Sequence, residues 1–458
     1  MPPLNPGTRD TRKREHCLPE ASNGKLGYWS VVAIGVGGMV GGGIFAVLGL
    51  AVQLAHGGTP VAFAIAGLVA LLTSYSYAKL SVAYPSPGGT VEFLNQSLGT
   101  GLLTGSINVL LSISYIIMLS LYAHAFGSYG GSFLPENWRA LGSHVLLSVA
   151  VVVLTVLNIL GSRAVGEAEE WIVGLKLSIL LLFVAVGLFS AKSGAMLPDQ
   201  WASPLHVIAG GMLIFLAYEG FELIANTARD VGDAERTLPR AYYSAVIFVI
   251  LLYVLVSVAA IGNLSVGELV RAKDYALAEA ARPIMGEAGF ILIGIAAMLS
   301  TASAINSTLY GASRISYIIA KEGELPTFLE RKVWRKPIEG LLITALLTLV
   351  VANSFDIESI SMMGSAGFLI VFAAVNIANI VQCKRTRSAW PLSAVGAVTC
   401  VAALGVLLWI RAIENPATLW VLVGMIALSV SIEAFYRKLT GRRIKPHLPE
   451  QSVARDGR

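Results

Sequence analysis

Ala33-Ile34-Gly35-Val36-Gly37-Gly38-Met39-Val40-Gly41-Gly42-Gly43-Ile44-Phe45 lies in the middle of the first long apolar stretch of the chain, Tyr28–Leu54. Such a stretch is long enough to cross a hydrocarbon core of about 30 Å as a helix. Each glycine inside a helix costs up to about 1 kcal/mol relative to alanine. Close packing accounts for glycines four apart, Gly37 with Gly41 or Gly38 with Gly42, as small-xxx-small faces. It does not account for Gly41, Gly42 and Gly43 in a row, because successive residues point about 100° apart around a helix. The run therefore predicts an opening in the helix. Opened backbone at mid-membrane persists only where protein or a cavity satisfies its N–H and C=O groups. The N–H groups at the start of a half-helix, with the positive dipole end behind them, suit a carboxylate. The freed carbonyls on the other side suit an ammonium or a cation, and an amino acid zwitterion presents both.

The rest of the chain repeats the apolar length of this stretch. Hydrophobic residues make up 55% of 458, charged residues 13%, and the mean hydropathy is +0.71. A soluble globular chain carries roughly a quarter charged residues, so much of this surface faces lipid. A transmembrane barrel would show short alternating segments instead. Twelve spans are predicted: Tyr28–Leu54, Pro60–Ala83, Gly101–Gly130, Val145–Gly161, Trp171–Ser190, His206–Thr227, Tyr242–Gly262, Gly289–Ala320, Ile338–Phe355, Ile360–Val381, Trp390–Ile410 and Thr418–Phe435. The ninth rests on a short apolar stretch, and without it the C-terminus would change sides. With the N-terminus inside, inner tails and loops hold 26 Lys and Arg against six in the outer loops. The positive-inside rule then predicts cytoplasmic termini, with tails 1–27 and 436–458 flanking one membrane domain, 28–435. The net charge of +5 reflects that inner face, and nothing asks for nucleic acid. No cleavable signal is read ahead of the first span, because residues 1–27 are polar and basic. Cys17, Cys383 and Cys400 suit neither a disulfide nor a metal cluster. No metal motif, phosphate loop or serine–histidine–acid set points to an enzyme or a cofactor.

The sixth span carries the second interruption: Phe215-Leu216-Ala217-Tyr218-Glu219-Gly220-Phe221-Glu222. A charged acid at the centre of a membrane helix costs on the order of 2.5–3.5 kcal/mol. Either the span ends at Ala217 and these acids begin a loop, or it continues as a broken helix through Phe221, Leu223, Ile224 and Ala225. The continuing apolar run favours the second. Glu222, Asn226 and Arg229 would then share one face, as a stripe toward the cytoplasm or as a satisfied buried ion pair. Breaks in spans 1 and 6 fall at matching places in two groups of five. Interrupted helices at corresponding positions of inverted halves mark a transporter's midplane site.

These motifs resemble the amino acid–polyamine–organocation family of secondary transporters. Gly41-Gly42-Gly43-Ile44-Phe45 is similar to its G-[ST]-G-[IV]-F signature, and Phe215 to Glu222 to its F-F-A-Y-x-G-F-[DE] signature. Tyr84-Pro85-Ser86-Pro87-Gly88-Gly89 resembles the turn after span 2, and Gly311-Ala312-Ser313-Arg314 the stretch closing span 8. The resemblance implies a LeuT-type 5+5 inverted repeat with two peripheral helices, alternating access, and a site among spans 1, 3, 6 and 8. By that likeness the site comprises Met39, Gly41, Gly42, Gly43 and Ile44 with Phe215, Leu216, Ala217, Tyr218 and Glu219. The amides of Gly42 and Gly43 would hold a carboxylate. The carbonyls of Met39, Phe215 and Leu216 would take an amine, with Phe215 as a thin gate. Tyr115 and Asn306 are further candidates, or polar residues knitting helices together. Two departures matter: Gly42 replaces a hydroxyl residue, and Glu219 replaces an apolar or small one. Both favour a cationic side chain, a polyamine or an organic amine.

With Lys79 and Arg314 counted at inner helix ends, Lys176 is the one Lys or Arg left inside a span, and intramembrane ionisable residues mark function. It either snorkels to the headgroups or, as in some proton-coupled relatives, stands in for sodium by bracing the opened carbonyls near Val40. Lys176 and Glu222 are accordingly the candidate coupling and gating residues. The leading expectation is a proton-coupled transporter of amino acids or related amines in the cell membrane, binding no cofactor. A sodium-coupled carrier or exchanger, and a sensor that keeps the fold without transporting, remain alternatives.

Overall fold

The computed structural model describes residues 25–160, 163–321 and 338–440. The tails 1–24 and 441–458, the basic loop 322–337 and Cys17 lie outside the described residues. Within them the chain is helical throughout, with two isolated backbone bridges and no strand.

The first span is two helices. α1 (Tyr28–Met39) stops at Val40, whose φ/ψ of −80°/47° leaves the helical region, and α2 (Gly43–Ala55) restarts after Gly42 at a bend of 48°. Then come α3 (Thr59–Ala83), the short α4 (Thr90–Leu98), α5 (Leu102–Gly131), α6 (Glu136–Leu160) and α7 (Arg163–Ser190). α8 (Pro204–Leu213) opens the sixth span, with Pro204 in its first turn and Ser203 as its N-cap. A single turn, Phe215–Tyr218, and a tighter coil, Phe221–Asp230, complete that span at a bend of 51°. The coil is 3₁₀ rather than the α-helix that the sequence suggested. α9 (Ala234–Asn263), α10 (Val266–Arg271) and α11 (Ala276–Lys321) follow, and α11 kinks at Gly286, whose φ is +67°. The last elements are α12 (Ile338–Ser354), α13 (Ile357–Val381), the short α14 (Cys383–Thr386), α15 (Trp390–Glu414) and α16 (Pro416–Thr440). Among the described residues nine helices are long and apolar enough to cross a membrane, and the two bent pairs make eleven spans. The 17-residue α12 occupies the ninth predicted span.

The two broken spans run antiparallel and are tied at both ends. On the face where the chain starts, the Leu26 amide donates to the Asp230 carbonyl (2.8 Å) and the Gly232 amide to Leu26 (3.1 Å). On the opposite face, the Gly57 amide donates to Gln200 (3.1 Å) and the Ala202 amide to Ala55 (3.3 Å). Their centre is wrapped by rings: Phe372 meets Tyr77, Phe215, Phe221 and Phe368 edge-on or tilted, and Phe368 meets Tyr115.

Three consecutive residues close the opposite face. The Lys273 ammonium binds Glu358 at the start of α13 (3.0 Å), the Asp274 carboxylate lies 4.0 Å from His124 of α5, and the Tyr275 hydroxyl accepts from Arg139 of α6 (3.2 Å). Glu358 also pairs with Arg411 of α15, a buried guanidinium that lies 3.8 Å from Glu414. The Lys273 carbonyl presses on Gly49 of α2, where any Cβ would collide with it. Beside this loop is a cavity of about 400 Å³ lined by Arg139, Arg271, Tyr275 and Arg282 among others.

Candidate functional site

The two breaks meet at the middle of the bundle. Gly38 lies against Gly220, and a methyl group on Gly43 would stand 2.9 Å from the Ala217 Cα. Gly42 is walled by Tyr122 and Thr301, and Gly41 by Ala304 and the Tyr122 hydroxyl. The hydroxyl of Tyr253, from α9, donates to both the Met39 carbonyl (2.7 Å) and the Ala217 carbonyl (3.2 Å), so one side chain bridges the two openings. Ser300 of α11 serves the Gly41 carbonyl, while Ser361 and Ser365 of α13 serve Leu213 at 2.7 and 2.8 Å. Protein hydroxyls thus satisfy these opened carbonyls, as a low-dielectric interior demands.

The structure sets segments 39–44 and 215–219 side by side, with Gly43 against Ala217, and of these residues Glu219 alone is among those lining the cavity beside the breaks. Ile44 is buried in the first turn of α2, and the Tyr218 hydroxyl donates to the Phe63 carbonyl (2.8 Å). Phe215 is buried with its ring edge-on to Phe372. Two of the carbonyls expected to face an amine already have donors: Tyr253 for Met39, and the Glu219 amide for Leu216 (3.1 Å). Asn306 accepts from Asn158 (2.7 Å), which knits α11 to α6. Tyr115 instead donates to Glu222 (3.1 Å), whose other oxygen takes the Gly220 amide (2.8 Å). The proposed stripe below the break is mostly fastened to neighbours: Glu222 as described, Asn226 against Gly89, and Arg229 to the Pro85 carbonyl (2.9 Å). Exposure rises along it from buried Glu222 to exposed Arg229.

Lys176 is only 2% exposed, and its ammonium donates to the Gly37 carbonyl (3.3 Å). The contact falls one turn before Val40, and α7 begins at Arg163, well ahead of the predicted start at Trp171. The side chain points into the bundle, at the broken helix, rather than along it to the headgroups.

A cavity of about 30 Å³, room for roughly two waters, lies beside the breaks. Gly37, Gly38, Tyr115, Tyr122, Glu219, Ser307 and Thr308 are among its lining residues. Sequence reasoning missed Tyr253, Ser300 and Ser365. The only available signal was a hydroxyl within a mostly apolar run, alone at Tyr253 and among other serines and threonines at Ser300 and Ser365.

The description of one family, amino acid permease, matches residues 26–432. The chain belongs to that family. The permease is 35% identical to the uncharacterized protein MJ0609 of Methanocaldococcus jannaschii, over 92% of this chain and 98% of that one. It is 34% identical to the inner membrane transport protein YbaT of Escherichia coli, over 90% and 97%. The methylthioribose transporter of Bacillus subtilis is 26% identical, over 86% and 89%. The permease is therefore a multi-pass membrane transporter and not an enzyme. The family has a LeuT-like fold, with which breaks in the first and sixth spans agree.

Proposed function

We propose that this permease is a secondary active transporter that carries amino acids or related amines by alternating access and is driven by protons. The face where the chain starts is cytoplasmic in this reading, and 28–435 form one transmembrane domain between cytoplasmic tails. The observation that carries the coupling is the Lys176 ammonium on the Gly37 carbonyl of α1. A cationic brace on the half-helix that must move can be removed by losing a proton, which frees the helix without any metal ion. The amides of Gly42 and Gly43 receive the substrate carboxylate, at a helix start with its dipole behind them. The cavity beside them is too small for an amino acid, so entry requires the broken spans to part.

The test is uptake into proteoliposomes, with a pH gradient or a sodium gradient imposed in turn and a panel of amino acids and amines outside. Accumulation driven by the pH gradient alone supports the reading. A requirement for sodium would replace it with a sodium-coupled carrier, and binding without any flux would leave a sensor.

A further inference from the structure

Glu219 lacks the partners that hold its neighbour. Glu222 has two hydrogen-bond donors, Tyr115 and the Gly220 amide. Glu219 is 4% exposed, and among the described residues no cationic side chain reaches it. Its nearest charged group is Glu222, within side-chain hydrogen-bonding reach, so the two carboxyls can share one proton but repel each other when both are ionised. It also lines the small cavity on the side of the breaks toward Ser307 and Thr308. A buried carboxylate needs a countercharge or a proton. The closed cavity has room for a proton and water but not for an organic cation.

We propose that Glu219 is an exchange position, occupied in turn by a proton and by the ammonium group of an amine-bearing substrate. This rests on the transporter reading above and deepens it. When the spans part and an amine arrives, its R–NH3+ group pairs with the carboxylate while the carboxyl proton leaves to cavity water. The pair of acids loses one positive charge with the proton and the bound ammonium brings one in, so the site as a whole keeps the same net charge throughout. A substrate without an ammonium cannot displace the proton, and the position therefore selects for amines. The titratable and charged groups around it are Glu222 on its own segment, Tyr115 and Tyr122 of α5, Tyr77 of α3, and Lys176 of α7 beyond α1. The described side chains of α1 and α11 at the cavity bring none.

Isothermal titration calorimetry of the purified permease, in two buffers of different ionisation enthalpy, counts protons released per ligand bound. The probes are L-alanine, L-arginine and putrescine, with pyruvate as the amine-free control. The wild type is expected to release about one proton for each amine bound. Glu219→Gln is expected to release almost none, and Lys176→Ala to keep the release. Melting temperatures of the variants establish that each is folded, and Glu219→Asp, which keeps the carboxyl, is expected to restore release where glutamine removes it. Amine binding without proton release, or equal release from Glu219→Gln, overturns the exchange while leaving transport of amines intact. No binding of any of the three amines overturns both.

Discussion

Gly220 rests on Gly38 backbone to backbone, and at this contact the two broken helices approach each other with no side chain between them. Gly220 has a φ of +116°, a value that only glycine adopts without strain. A Cβ there would also stand 2.6 Å from the Met39 nitrogen. Gly220→Ala is therefore expected to cost about 2 kcal/mol in strain and to suppress transport. Thermal unfolding in detergent and uptake in liposomes measure the two effects. A variant with native melting temperature and native uptake would show that the contact is dispensable.

Lys176→Ala removes the brace on Gly37. Acid-stimulated uptake is expected to vanish while substrate binding, followed by thermal shift, persists. A mutant that keeps the wild-type pH dependence of uptake would remove Lys176 from the coupling mechanism.

Glu222 joins span 3 to the unwound part of span 6 through Tyr115 and the Gly220 amide. A hydrogen bond to a charged group contributes about 1.5–3 kcal/mol, so Glu222→Gln is expected to slow transport of every substrate by about tenfold or more. Glu219→Ala is expected instead to change which substrates compete. Competition assays across a panel separate the outcomes, and identical profiles from both variants would make the two acids a single network.

Arg411 is a nearly buried charge held by Glu358 and Glu414. Removing one partner of such a pair strands the other, at a cost of about 3 kcal/mol. Glu358→Gln is thus expected to lower the melting temperature, and adding Arg411→Met is expected to recover part of the loss. Additive losses in the double variant would contradict the coupling.

The positions of both breaks were legible in the sequence because each has a local cause. Three adjacent glycines cannot all be packing faces, and α1 does end at Met39 with α2 restarting at Gly43. Acids within an apolar run imply unwound backbone, and the turn at Glu219 and Gly220 follows them. Pairings over long sequence distances were not legible. Tyr253 reaching Met39, Lys273 reaching Glu358 and Ser365 reaching Leu213 depend on how helices dock, and no spacing along the chain encodes that. The polar face below span 6 was foreseen, but the residues that fasten it were not. Its neighbours Tyr115, Pro85 and Gly89 come from elsewhere in the chain.

Lys273 and Tyr275 fasten that loop to α13 and α6, and Asp274 between them lies 4.0 Å from His124 of α5. Three residues span at most about 10 Å of extended chain, so the three helices are held in register by one short tether. A graded widening of this face would have to stretch bonds that lengthen very little before they break. Release of one residue moves its burden onto the other two. Opening on this side should accordingly be an all-or-none event, in which the loop lifts from Gly49 as a unit. Partly open states would be too brief to leak solutes down their gradient.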